Sequence, residues 1–244
     1  MITTLIFKGI AFDTNKIGPT ISASYPFFTD YPMVEEERVT QQKEEQIVSW
    51  LFSQTQVKEL IFTELRIQNP CFSLNVVDPI IDNPNKKPGD IDILICEQRQ
   101  PNRAIALECK RVKVIAADME NDKVNKIDNI GNGVKQANAL REIGFHRTYL
   151  AILIEVEGKN RVEYNTLCRG PSPTTFKKVY DFPFRDKLHK DVGVIFIEIS
   201  QPTGKSIDSM AGVGICIDKE AERLEQPDYL TNRINTLLRG LKRH

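Results

Sequence analysis

Apolar runs bounded by polar residues alternate along the chain with segments of helical period. The runs 91–95 and 104–107 are rich in aliphatic and β-branched residues, and Pro, Gly or polar residues mark their ends. These features predict two neighbouring strands. The run 149–156 is apolar almost throughout, as in a strand buried on both faces of a sheet. Two later runs, 192–199 and 211–217, predict further strands.

Helices are predicted between these strands. Val134, Ala137 and Leu140 share one face of a helix that ends near Gly144. The remaining predicted elements are helices over 32–53, 56–66, 219–224 and 229–241 and a strand near 72–77. This order predicts an α/β fold with a mixed central sheet flanked by helices.

A chain of 244 residues makes one large domain or a core with additions. We divide it into an N-terminal extension (1–31), a core (32–157) and C-terminal additions packed on the same domain (158–244). No apolar run is long enough to cross a bilayer, and the N-terminus lacks the basic lead of a signal peptide. Five scattered cysteines and three histidines lack zinc-site spacing. We therefore expect a cytoplasmic protein with reduced thiols and no membrane partner.

Charged residues interrupt the first two runs, where burial is costly unless they are paired or bind a metal. Because side chains alternate along a strand, Asp90 and Asp92 share one face, as do Glu108 and Lys110. In a hairpin centred near Gln100, residues whose numbers sum to 200 lie opposite each other, so Asp92 faces Glu108. Facing carboxylates need a positive charge, from Lys110 or a divalent cation. Hard oxygen ligands suit Mg²⁺, with Mn²⁺ as a substitute.

The sequence Asp90-Ile-Asp92, a hairpin, and Glu108-Cys109-Lys110 at the end of an apolar strand resemble the active-site motif of the PD-(D/E)XK nucleases. The resemblance implies the restriction-endonuclease-like fold for the core. It implies metal ligands at Asp92, Glu108 and the backbone carbonyl of Cys109. Lys110 would orient or activate the attacking water, and Asp90 would be a supporting or alternative position. A Gly precedes Asp90 where the family has its name-giving Pro.

Two helices add accessory positions to this resemblance. Several branches of the superfamily carry an active-site Gln in the helix after the Glu-x-Lys strand, where this chain has Gln136. On the first predicted helix, Glu45 precedes Val48 by three residues, as a metal-directed Glu does in family members. Glu44 has the same relation to Ile47. We expect Glu45 to be a metal ligand, with Glu44 as the alternative; a solvated helix face would also carry such acids.

A basic segment, which we predict to be a loop, follows the predicted core. Residues 159–190 carry eight Lys or Arg against three acids, with aromatic residues between them. This composition suits contact with backbone phosphates and stacking on bases. We predict nucleic-acid contacts from Arg111, Lys113, Lys177 and Lys178. The formal net charge is zero, which does not itself indicate a nucleic-acid-binding protein, so a solvated excursion of the chain is the alternative.

The resemblance implies a magnesium-dependent endodeoxyribonuclease that hydrolyses phosphodiester bonds of double-stranded DNA. Roles in restriction, phage defence or mobile-element biology would each agree with it. The alternatives are an RNA-directed or ligand-activated nuclease of the same fold, and a non-catalytic nucleic-acid-binding protein. A homodimer would suit cleavage of both strands.

Overall fold

The computed structural model describes residues 23–28, 43–82, 87–115, 123–156, 173–200 and 210–241. Within these ranges the strands are β1 (Ala23–Phe28), β2 (Pro70–Val76), β3 (Ile91–Glu97), β4 (Gln100–Ile115), β5 (Lys123–Asn125), β6 (Arg147–Val156), β7 (Gly193–Ser200) and β8 (Met210–Lys219). The α-helices are α1 (Glu44–Ser53), α2 (Thr55–Glu64), α3 (Asn129–Ile143), α4 (Pro173–Tyr180) and α5 (Asp228–Leu241).

All of these strands belong to one mixed sheet. Seven of them follow the order β1-β8-β7-β6-β4-β3-β2, and β5 pairs with the last residues of β4. The pairs β4–β6 and β6–β7 are parallel, and the other pairs are antiparallel. The parallel pair β4–β6 is joined through α3, since parallel strands need a crossover connection. The predicted α/β class, a mixed sheet flanked by helices, is confirmed.

Alternation of side chains gives the sheet two apolar faces. On the face that we name the α1 face, side chains such as Ile93 and Leu107 pack with Leu51 of α1 and with α2. The opposite face, the α3 face, is covered by α3, α4 and α5, and includes Val112 and Leu94. The catalytic motif predicted from the sequence lies in strands β3 and β4, so the two faces decide which of its side chains meet.

The β3–β4 hairpin has the predicted register. Ile93 pairs with Leu107, and the neighbouring pairs keep the same sum of 200. The turn is shorter than the predicted polar stretch 98–102, because β4 already begins at Gln100. A register shift before Glu97 accommodates this tighter turn. The centre of the hairpin, which carries the motif, is therefore as predicted, and its tip is not.

Most other predicted elements are found with shifted ends. The helix over 32–53 is observed as α1 from Glu44 onward, and residues 32–42 lie outside the described ranges. α3 ends at Gly144 as predicted, where φ of 99° is a left-handed conformation that suits glycine. Two predictions differ from the structure: the loop over 159–190 and the helix over 219–224. The basic stretch 159–190, expected to be a loop, contains α4 and a 3-10 helix over Arg185–Lys187.

The predicted helix over 219–224 is wrong. Lys219 is the last residue of β8, and the chain over 220–224 has no regular secondary structure, because backbone amides there bond to distant parts of the chain instead of to each other. The amide of Glu222 donates to the carbonyl of Asp191, and the amide of Leu224 donates to that of His146. Within the described ranges, no helix is both long enough and apolar enough to cross a bilayer.

Candidate active site

The predicted catalytic residues lie where one edge of β4 has no neighbouring strand, while the other edge pairs with β6. β3 and β5 pair with the same edge of β4, and among the described residues 108–112 have no strand partner between these two pairings. Side-chain carboxylates accept hydrogen bonds from the exposed backbone amides there. The amide of Cys109 donates to Asp92 Oδ2 at 2.6 Å, and the amide of Arg111 donates to Glu44 Oε2 at 2.6 Å. Two carboxylates thus bind the backbone where another strand would.

An ammonium group lies among these acids. Lys110 Nζ lies 2.6 Å from Glu108 Oε1 and 3.0 Å from Glu44 Oε1, and it donates to the carbonyl of Cys109 at 2.6 Å. The hairpin register, continued by one residue, places Asp92 opposite Glu108. The two acids and the lysine that form the predicted motif therefore share the α3 face. The structure brings together the three side chains on which the sequence prediction depended.

Burial raises the pKa of both acids of the motif. Burial raises the pKa of Glu108 to about 8, and the nearby carboxylate of Asp92 adds to the rise. Burial likewise raises the pKa of Asp92 to about 6, although the hydrogen bond from the Cys109 amide acts against it. Burial acts to lower the pKa of Lys110, but the acids around it, Glu108 and Glu44 first, raise it overall. Clusters of strongly shifted pKa values are typical of functional sites.

A glycine of α3 allows Lys110 to take this position. A Cβ atom at Gly133 would lie 2.3 Å from Lys110 Cγ and 2.9 Å from Leu150 Cδ1. Any larger residue would push either the helix or the lysine side chain away. Sequence reasoning missed this residue, although a glycine inside a helix costs about 1 kcal/mol relative to alanine and often has a packing reason.

The oxygen atoms around Lys110 are of the kind that Mg²⁺ prefers. They are carboxylate oxygens of Asp92, Glu108 and Glu44 and the carbonyl oxygen of Cys109. Glu108 Oε2 is buried and has no hydrogen-bond partner among the described residues. No group of three or more His, Cys, Asp or Glu side chains in the described ranges is arranged to hold a metal ion. The donor atoms are thus of the right chemical type for a hard cation, but the ammonium of Lys110 lies among them, and a cation would have to displace it.

The structure decides between the two glutamates at the start of α1. Glu44 bonds both to Lys110 and to the backbone of Arg111. Glu45, which the sequence favoured as the metal ligand, is exposed to solvent. A helix turns by about 100° per residue, so neighbouring side chains point in different directions. The structure therefore places Glu44, the alternative, and not Glu45 in the cluster, and a metal role for either acid stays a prediction.

The two accessory positions lie beside the site. The side-chain amide of Gln136 donates to the carbonyl of Pro88 at 3.1 Å. This bond ties α3, one turn after Gly133, to the segment that leads into β3. Asp90 is half-buried just before β3, and its charge contributes to the raised pKa of Asp92. Both residues stay candidates for a supporting role.

The residues predicted to contact nucleic acid fall into two groups. Arg111 is 2% exposed and forms an ion pair with Glu155 of β6, and Lys113 is 7% exposed. Their burial on the α1 face counts against contact with a nucleic acid. Lys177 and Lys178, on α4, are exposed, and their predicted role stays a prediction.

The aromatic residues of the basic stretch face inward where the structure describes them. Phe176 and Phe184 are buried in the core of the α3 face, and Tyr180 and Phe182 pack against it. Arg185 lies over the rings of Tyr180 and Phe184, with its guanidinium carbon 4.4 Å and 4.7 Å from their centroids. These rings stabilise the fold and are not placed for base stacking. Tyr164 lies outside the described residues.

Comparisons of this chain with family models, with curated proteins and with solved structures find no match. The function is therefore inferred from the geometry of the site and from the motif that the sequence carries.

Glu44 and Glu45 offer a matched test of the contacts at the start of α1. Glu44→Ala leaves the Arg111 amide without its acceptor, which we expect to lower the free energy of unfolding by about 1–3 kcal/mol more than Glu45→Ala does. Both substitutions remove an acid from the first turn of the same helix, so its dipole contributes equally to both. Urea unfolding of the two variants measures the difference. Equal losses would contradict the assigned role of Glu44.

Proposed function

We propose that this protein is a magnesium-dependent nuclease that hydrolyses phosphodiester bonds of double-stranded DNA. One observation carries the proposal: the buried carboxylate of Glu108, the half-buried carboxylate of Asp92 and the ammonium group of Lys110 lie on one sheet face, at a gap in strand pairing along one edge of β4. Burying such charged groups lowers the stability of the fold unless they are paired or bind a cation. A cluster of them therefore indicates a structural or chemical role. The resemblance of the motif to the PD-(D/E)XK nucleases supports the reaction class and the choice of DNA.

Each residue of the site has a proposed role. Asp92, Glu108 and the carbonyl of Cys109 would hold Mg²⁺, which would polarise the phosphate and lower the pKa of a water molecule. Glu44 is the further acid in reach of the site. Lys110, once released from the carbonyl, would hold the attacking water and offset developing negative charge. The exposed pair Lys177 and Lys178 would contact DNA phosphates.

We also propose the restriction-endonuclease-like arrangement for the core. The Glu-x-Lys strand β4 is followed by α3 and then by the parallel strand β6. This is the order that the superfamily core requires, and it supports the assignment. Homodimerisation and a cytoplasmic location stay predictions from the sequence.

The direct test is cleavage by the purified protein. Supercoiled plasmid, linear duplex DNA and RNA would be incubated with Mg²⁺, with Mn²⁺ and with EDTA. We expect cleavage of both DNA substrates that needs a divalent cation. Asp92→Asn and Lys110→Met should each lower the rate by at least about 100-fold, since they remove a metal ligand and the ammonium.

The control is Glu142→Gln, which neutralises an exposed acid on α3 and should leave the rate unchanged. Cleavage of RNA alone would favour the RNA-directed alternative. Metal-independent cleavage, or unchanged cleavage by both site variants, would contradict the proposal. DNA binding without cleavage by the wild-type protein would favour the non-catalytic alternative.

A further inference from the structure

Two cysteines lie directly opposite each other at the edge of the sheet. Cys71 of β2 and Cys96 of β3 are register partners in an antiparallel pair. Their Sγ atoms are 3.2 Å apart, and Cys71 Sγ also contacts the carbonyl of Cys96 at 3.2 Å. Both residues are thiols in this structure. Neither belongs to the proposed catalytic cluster, so the pair needs its own explanation.

The backbone geometry of this pair is compatible with a disulfide. Opposite residues of an antiparallel pair have Cα atoms about 4.5–5.5 Å apart, within the range of about 4.4–6.8 Å that disulfides span. Bond formation requires the two sulfur atoms to approach to about 2.05 Å. Rotation about the side-chain bonds can supply most of this movement, because both sulfur atoms already face each other.

The two thiols differ in access to solvent. Cys71 is half-buried on β2, which is the last strand at its end of the sheet order, whereas Cys96 is 1% exposed. The hydrogen bond with Cys71, together with burial, raises the pKa of Cys96 above its usual value. A small reagent from solvent therefore meets Cys71 first, and Cys96 reacts only through it.

We propose that Cys71 and Cys96 are a redox modification site. They form a reversible disulfide with each other, across the two strands, by thiol–disulfide exchange with low-molecular-weight disulfides such as oxidised glutathione. The Cys71 thiolate attacks a sulfur atom of the oxidant, which forms a mixed disulfide and releases one glutathione thiolate. Cys96 then gives up its proton, attacks the Cys71 sulfur and releases the second glutathione. Two protein thiols are oxidised to one disulfide, one glutathione disulfide is reduced to two thiols, and the protons pass to those thiols.

This bond would close a loop that contains Asp92. The closed loop constrains the unfolded chain, so the oxidised protein should melt about 5 °C or more above the reduced protein. The bond would also fasten the edge strand β2 to β3. The modification itself is independent of the proposed nuclease activity.

Peptide mapping tests the site. The full-length protein is equilibrated in glutathione buffers with an increasing oxidised fraction, alkylated and digested with trypsin. Cleavage after Lys86 separates the two cysteines, so a bond between them joins the peptides 67–86 and 87–99. We expect this linked pair, a loss of two hydrogen masses from the intact protein, and the rise in melting temperature. Return to reduced glutathione should reverse all three.

Matched variants complete the test. Cys71→Ser and Cys96→Ala should each abolish the linked peptides and the rise in melting temperature. Cys216→Ala should abolish neither, because β8 lies four strand positions from β3, or about 19 Å. A stable glutathione adduct on Cys71 without the internal bond would overturn the proposal. So would a bond from Cys71 to Cys168, or two unmodified thiols in the fully oxidised buffer.

Discussion

Replacing Gly133 with alanine is expected to lower DNA cleavage by about 100-fold while the protein stays folded. The added Cβ atom would lie 2.3 Å from Lys110 Cγ, so the lysine must move away from the position that the proposed mechanism requires. A displacement of about 1 Å at a catalytic group can cost 100-fold in rate. The cost of overpacking, about 1–3 kcal/mol, is partly offset by the higher helix propensity of alanine, about 1 kcal/mol. Cleavage rates and urea unfolding measure the two effects separately.

Gly131 provides the matched control on the same helix. A Cβ atom there would have no neighbour within 4 Å, so Gly131→Ala should stabilise the protein by about 1 kcal/mol and leave cleavage unchanged. The double variant Gly133→Ala/Lys110→Ala removes the lysine atoms that clash most closely, although the contact with Leu150 remains, and should cost less stability than the sum of the single variants. Unchanged cleavage by Gly133→Ala, or strictly additive stabilities, would show that the glycine does not position the lysine.

In metal-free buffer, the free energy of unfolding should fall as the pH rises from about 5 to about 8. The folded protein keeps the proton of Glu108 up to about pH 8, whereas an ordinary glutamate loses it near 4.5. Folding therefore takes up a proton within this window, and the stability that the proton provides is lost as the pH rises through the folded-state pKa. Asp92, with a pKa of about 6, acts in the same direction over the lower part of the window. The loss should be on the order of 3 kcal/mol.

Glu108→Gln should remove most of this pH dependence. Glutamine has nearly the same volume and no charge, so the variant should match the wild-type protein near pH 5 and exceed its stability near pH 8. Urea unfolding in EDTA at several pH values gives both curves. Glu142→Gln, at an exposed position, should follow the wild-type curve. A Glu108→Gln curve that falls as steeply as the wild-type curve would refute the buried, protonated state of Glu108.

The register of the hairpin that carries the motif could be predicted because it follows from a local pattern. The polar stretch between the two apolar runs is centred near Gln100, so residues whose numbers sum to 200 lie opposite each other, which aligns Ile93 with Leu107 and brings Asp92 opposite Glu108. The tip of the hairpin could not be predicted in this way. Residues 100–103 are polar apart from Pro101 and are half-buried or exposed, as in a loop, yet β4 includes them.

The choice between Glu44 and Glu45 needed the structure because α1 is buried on more than one side. Ile47 and Val48 are adjacent and both buried, so each glutamate precedes a buried residue by three positions. A broad apolar surface does not define one direction toward the site. Only the packing of the helix against β4 shows which acid reaches it.

The burial of Arg111 also depends on a contact that is remote in sequence. Its partner Glu155 is 44 residues away, on a strand that pairs with β4 in parallel. From the sequence alone, a basic residue beside a catalytic motif is an ordinary candidate for phosphate contact. The parallel register of β4 and β6 instead makes Arg111 part of the core.

The carboxylates at the gap in β4 have a consequence for mutagenesis. Asp92 and Glu44 act as surrogate backbone acceptors, so removing either oxygen frees an amide as well as a candidate ligand. Alanine variants would mix lost chemistry with local fraying of the strand. Asparagine and glutamine keep an oxygen that can accept the same amide, and they are therefore the substitutions that isolate the contribution of charge.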